Sequence, residues 1–238
     1  MTIVKNTGLT EVLVEKFPKW LSYFESNGPF RRSDQLQYHR ETIDRRLELG
    51  SAAAAVTDEQ FQRALYKTLR AWGIGVRGSR LKPFDDFAAI LSRLKEAVAP
   101  FETAIIDDQR LDVGATVDTL WRLQSQLPIV ENAATLVPVT KALHHVLPEL
   151  VVPMDREYTQ IFFGWHNPQF QYGQRTCFAE AFGAFVQIAR AANPSQYVNR
   201  GWNSSRTKVL DNALVGLLQW VKDHGTLDSG YHVPTPLD

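Results

Sequence analysis

The stretch "TDEQFQRALYKTLRAWGIG", Thr57 to Gly75, carries the pattern that most restricts what this chain can fold into. Phe61, Ala64, Leu65, Leu69 and Trp72 recur at spacings of three and four. Such residues share one face of a 3.6-residue helix, whereas a half-buried strand needs strict alternation. Thr68 is the one polar interruption on that face. Thr57 followed by Gln60 reads as a capping box that opens the helix. Gly73 and Gly75 read as its end. The same period continues in "PFDDFAAILSRLKEAVAP", through Phe84, Phe87, Ile90, Leu91 and Leu94, until Pro100 stops it.

Equivalent patterns predict helices near 10–24, 33–48, 115–126, 139–148, 155–163, 176–192 and 205–223. The last carries Val209, Leu210, Leu214, Leu217, Leu218 and Val221, a broad core-facing stripe. "VLVEK" and "AIIDDQRLDV" are too short to argue for a sheet. Loops are expected at Gly73–Pro83, Asp107–Gly114 and Trp165–Gln174. The expectation is an all-α, multi-helix globular domain spanning residues 1–238. Two helical lobes with a cleft are compatible with it, and Leu227–Asp238 reads as a peripheral tail.

Composition narrows the function classes. Lys plus Arg and Asp plus Glu both number 26, so the formal charge is zero. Wholesale electrostatic binding of nucleic acid asks for a basic excess, which is missing, although a local basic patch remains open. One cysteine, Cys177, allows no intramolecular disulfide and no multi-cysteine metal site. No apolar run reaches the roughly 18–20 residues of a membrane span, and the N-terminus lacks a signal-peptide core. A cytoplasmic, intracellular protein is therefore expected. No cofactor is implied. No metal site is expected either: there is no HExxH, the histidines are scattered, and adjacent His144 and His145 should diverge on a helix.

The densest stretch is "TLVPVTKALHHVLPELVVPMDREY", Thr135 to Tyr158. Val139, Leu143, Val146 and Leu147 share one helical face, and Thr140, Lys141, His144 and His145 the other. Asp155 stands where the next helix begins, so an N-cap role suffices to explain it. A solvated lysine suffices to explain Lys141. The stretch also resembles the core of the helix-hairpin-helix DNA glycosylases. There, a hairpin of the form L-P-G-V-G leads into a helix, and a "VPVD" segment follows. "LVPVTKA" takes the hairpin position here and "VVPMD" the later one, with Val137 and Val139 where the family has glycines. The resemblance implies a catalytic carboxylate at Asp155 and, as in the lysine-bearing members, a nucleophilic amine at Lys141. It implies DNA as partner, with the target base flipped out of the duplex.

Three other groups read as candidate binding residues. Arg77, Arg80 and Lys82, set among glycines in "GIGVRGSRLKPF", could cradle a phosphate or carboxylate, or could decorate an ordinary interhelical loop. Arg206, with Arg200 and Lys208, surrounds the start of the last helix, a ready anion site unless a carboxylate already neutralises it. Trp165, His166 and Tyr172 fall in a loop-like aromatic segment and are candidates to line a substrate pocket. The alternatives to a glycosylase-like, DNA-binding function are a helical protein-interaction module and a domain that holds a small anionic ligand. The pattern leaves the oligomeric state open.

Overall fold

The computed structural model describes residues 7–28, 30, 32–75 and 79–225. Among them the chain is all-helical, and the only extended pairing is an isolated antiparallel bridge between Leu81 and Val130. The helices are α1 (Thr7–Glu15), α2 (Phe17–Asn27), α3 (Ser33–Glu48), α4 (Ala52–Ala55), α5 (Glu59–Ala71), α6 (Phe84–Ser92) and α7 (Lys95–Val98). They continue with α8 (Val113–Ser125), α9 (Leu136–Val146), α10 (Thr159–Phe163), α11 (Asn167–Tyr172), α12 (Gln174–Ala192) and α13 (Arg206–His224). None of these is long and apolar enough to cross a membrane. The expected tail, 227–238, lies outside the described residues.

Buried apolar side chains from Leu9 to Val221 form one connected core. At its centre runs α13, whose residues Thr207 to Leu218 are all buried. A helix buried all round needs a partner that comes very close, and α2 is that partner. A Cβ at Gly216 would lie 2.0 Å from the Trp20 carbonyl oxygen, so only glycine permits this crossing. Alongside, α3 packs on α5, where the Thr42 and Thr68 hydroxyls meet at 2.9 Å. The polar interruption in the α5 stripe is thus a satisfied hydrogen bond between helices. Beyond them, α8 packs on α12, and α9 lies against α3 and α5.

Several local expectations change for physical reasons. The single helix expected at 10–24 is two, because Pro18 lacks the N–H that would continue α1 and instead occupies the first turn of α2. The cap of α5 is Asp58, whose carboxylate accepts from the Phe61 N–H at 2.7 Å. Thr57 turns back and donates to carbonyls of Ala53 and Ala54. The segment 165–174 is not one loop, since Asn167–Tyr172 is helical. Finally, α9 starts at Leu136, so Val137, Pro138 and Val139 lie within its first turns and not in an interhelical turn.

Candidate functional site

Most of the polar face of α9 is covered, and of its four residues Lys141 alone keeps partial exposure. Thr140, His144 and His145 are completely buried, because α3 covers that face on one side and the first turn of α13 on the other. Burial forces each polar group to find a partner. The Thr140 hydroxyl donates to the Leu136 carbonyl at 2.8 Å and accepts the Met154 N–H at 3.2 Å. That second bond ties the connector after α9 back onto the helix, and it brings Asp155 to the side of Lys141.

Asp155 caps the turn at 156–158 that leads into α10, whose own N-cap position is Tyr158, so the helix expected to begin at 155 begins at Thr159. The Asp155 carboxylate accepts from the N–H groups of Tyr158 at 2.6 Å and Thr159 at 3.3 Å. Its own N–H donates to the Thr159 hydroxyl at 3.1 Å. Yet the same side chain also lines a cavity of about 40 Å³, together with Phe30, Gln35, Trp72, Lys141, Pro153, Lys208 and Asp211. The capping and cavity roles coexist in one residue.

The cavity is lined by two lysines, two aspartates and an aromatic wall. Lys141 donates to the Trp72 carbonyl at 3.4 Å. Burial pulls its ammonium group below the usual lysine range, while the nearby charges of Asp155 and Asp211 oppose that shift. Lys208 is 1% exposed, and its ammonium donates to Asp211 at 2.5 Å and to the Asn212 side-chain Oδ1 at 2.6 Å. Four rings surround that ammonium: Phe30 and Trp202 at 5.3 Å, Trp72 at 5.5 Å and Phe24 at 5.8 Å. Such a cage stabilises a cation that has lost its water. Burial raises the Asp211 carboxyl above the usual range, against the pull of Lys208. Asn212 is held in turn by Asn203, and Asn203 by Glu25.

Behind Trp72 lies a second polar group, made of His39 from α3 with His144 and His145 from α9. The expectation that His144 and His145 diverge is corrected here. Their rings meet edge-on at 4.9 Å, and one nitrogen from each of the three histidines falls within 4.8 Å of the others. Adjacent residues on a helix do point apart, but the ring of His39 lies against both, at 5.8 Å from His144 and 5.1 Å from His145, and joins them into one group. Burial pushes His39 and His144 well below the usual histidine range and His145 down to about 4, so all three rings are neutral at pH 7.

The remaining candidates are dispersed. Arg206 is ion-paired with Glu149 at 2.6 Å and Asp107 at 3.3 Å, the neutralising carboxylates that such a helix start calls for. Arg80 is exposed and faces Glu131 at 3.4 Å, while the Lys82 N–H donates to the Ile129 carbonyl in the short bridge. Arg77 lies outside the described residues. Trp165 is buried, stacked on Phe163 and donating to Glu180 at 3.1 Å. His166 caps α11, and Tyr172 on that helix is 81% exposed. Neither Trp165, His166 nor Tyr172 lines the cavity.

Sequence reasoning missed Lys208 as an interior residue, as well as Asp211, Asn212 and Phe30. A signal was present: Lys208, Asp211 and Asn212 stand at i, i+3 and i+4, which stacks them on one helical face. Comparison with known proteins found no matching family model, no similar curated protein and no similar solved structure.

Proposed function

We propose that this cavity is a catalytic site of DNA glycosylase-like type, with the Lys141 amine as nucleophile and the Asp155 carboxylate as the stabiliser of positive charge at the sugar carbon. The observation that supports it is the convergence of these two residues, one on α9 and one in the following cap, on a single cavity with an aromatic wall. In the reaction the amine attacks C1′, the C1′–N bond breaks with its electron pair going to the base, and the amine proton passes to the departing base or to solvent. The C1′–O4′ bond then breaks, its electron pair goes to O4′, which takes up a proton, and the nitrogen lone pair closes a C1′=N imine on Lys141. The cavity holds only a few water molecules at its present size. A base can therefore enter only if the lining side chains move apart, as base flipping into a tight pocket requires.

A second reading follows from that small volume: a site for a small anionic ligand held between Lys141 and Lys208. A protein-interaction module draws less support. Among the described residues the exposed large apolar side chains are Leu47 on α3, Tyr172 on α11 and Val198 in the loop before α13.

The test is borohydride trapping on duplexes carrying uracil, oxidised guanine or an alkylated base. The proposal predicts a covalent adduct with the wild type, none with Lys141→Met, and a large loss with Asp155→Asn, which keeps a capping oxygen. Trapping that is indifferent to Asp155→Asn, or no binding to any duplex at low salt, rejects it. In that event, a melting temperature raised by phosphate in the wild type but not in Lys141→Met selects the small-anion reading.

A further inference from the structure

The hydrogen bonds of two of the buried histidines, His144 and His145, fix where their protons sit. His145 Nδ1 faces the Lys141 carbonyl at 2.8 Å, and a carbonyl only accepts, so Nδ1 carries the proton and Nε2 is a bare lone pair. His144 Nδ1 faces the Val151 carbonyl at 3.1 Å and the Thr207 hydroxyl at 3.0 Å. That hydroxyl already donates to the Pro148 carbonyl at 2.5 Å, so His144 Nδ1 is again the donor and its Nε2 is bare. His144 Nε2 is buried and has no hydrogen-bond partner. A buried ring nitrogen in that state has lost its water without gaining a partner, and native folds hold few such groups.

His39 completes the set. Its Nε2 lies 2.7 Å from the Ser204 hydroxyl, and its Nδ1 lies 2.9 Å from His145 Nε2. Since His145 Nε2 is bare, His39 Nδ1 carries the proton of that contact and His39 Nε2 accepts from the Ser204 hydroxyl. The Nδ1 lone pair becomes available to a cation when the proton moves to Nε2, where the Ser204 oxygen can accept it. Three neutral imidazoles, each oriented by a hydrogen bond from its other nitrogen, are what a metal-binding histidine set looks like. We propose that His39 Nδ1, His144 Nε2 and His145 Nε2 bind one first-row divalent cation of the zinc class, with water in the fourth position. Tetrahedral ligation at about 2.0–2.1 Å sets ligand nitrogens about 3.3 Å apart. The His39–His145 pair opens slightly to reach this, and His144 closes in. Carboxylate-preferring ions such as magnesium and calcium are excluded by the all-nitrogen donor set. The charge of Lys208 opposes positive charge at all three histidines, and its ion pair with Asp211 offsets part of that repulsion. Trp72, whose ring lies 4.9 Å from His145 and 5.2 Å from His39, stands between this group and the cavity.

The experiment uses the full chain, stripped with chelator and titrated with Co²⁺. The expected result is about one ion per chain, with the strong visible bands of four-coordinate nitrogen ligation, displaced by Zn²⁺. His144→Gln is expected to lose those bands while keeping the wild-type far-UV spectrum. Should that variant fail to fold, Ser204→Ala serves: it keeps all three nitrogens but removes the partner of His39 Nε2, and Co²⁺ affinity is expected to fall about 10-fold or more. The proposal is overturned if the folded wild type takes up neither Co²⁺ nor Zn²⁺, which would assign His144 Nε2 to a water. It is equally overturned if uptake is unchanged in both variants.

Discussion

The first turns of α13 and the segment from α10 to α11 both gather side chains of functional type, and they differ in what those side chains meet. Around α13, Lys208, Asp211 and Asn212 turn inward, and a cavity remains beside them. Around α10 and α11, the aromatic groups either stack into the core, as Phe163 and Trp165 do, or stand in solvent, as Tyr172 does. Both regions contain chemistry-bearing residues. Only the first retains interior charge next to empty space, an arrangement that packing alone does not favour. Function is therefore better sought where polar groups have been buried at a cost than where aromatic residues are merely abundant.

The largest test of that contrast is Lys208→Met. It leaves Asp211 as an unpaired carboxylate in the interior, and stability should fall by about 3–5 kcal/mol in denaturant titrations. The double variant Lys208→Met with Asp211→Leu should recover most of that loss, because two apolar side chains of similar volume replace the ion pair. If the single variant were neutral, the α13 cluster would be no more demanding than the surface. Recovery of stability without recovery of borohydride trapping would assign the pair to the site and not to the fold.

The second test is on the other side of the comparison. Cys177 on α12 is buried under α11, with its thiol near the Gln169 carbonyl at 3.6 Å, and burial pushes its pKa up to about 11. In the unfolded chain a cysteine ionises near 8.5. Between those values the unfolded state has lost its proton and the folded state has not, so stability falls as pH rises, by roughly 1 kcal/mol per pH unit. Iodoacetamide at pH 8 should therefore leave the native thiol unmodified and react fully once denaturant is added. Rapid native labelling would show that α11 opens on its own and that the aromatic segment is less firmly packed than the α13 cluster.

How much of this could be read beforehand depends on which interactions are local. The α5 and α13 helices were legible because their apolar period is a property of contiguous residues. The cap at Asp155 was legible for the same reason, as its acceptors and donors lie within four positions. The burial of Thr140, His144 and His145 is not visible in the sequence, since their cover comes from α3 and α13. His39 and His145 stand 106 positions apart and touch at 2.9 Å, and no spacing rule reaches that far. Lys208 was assigned to a surface anion site because a lone lysine at a helix start usually faces water. The rings that cage it come from Phe24, Phe30, Trp72 and Trp202, which the sequence scatters across three segments.

The smallest expected effect is at Tyr172. With its ring 81% exposed and outside the cavity, Tyr172→Ser should change stability by no more than about 0.5 kcal/mol, measured by thermal unfolding. It should also leave adduct formation on duplex DNA at the wild-type level. A neutral result keeps the aromatic segment on the structural side of the comparison. A loss of trapping with stability intact would mean that an exposed ring on α11 stacks against the substrate at a distance from Lys141. The cavity would then be only the floor of a larger site, and the two regions would have to be treated as one binding surface.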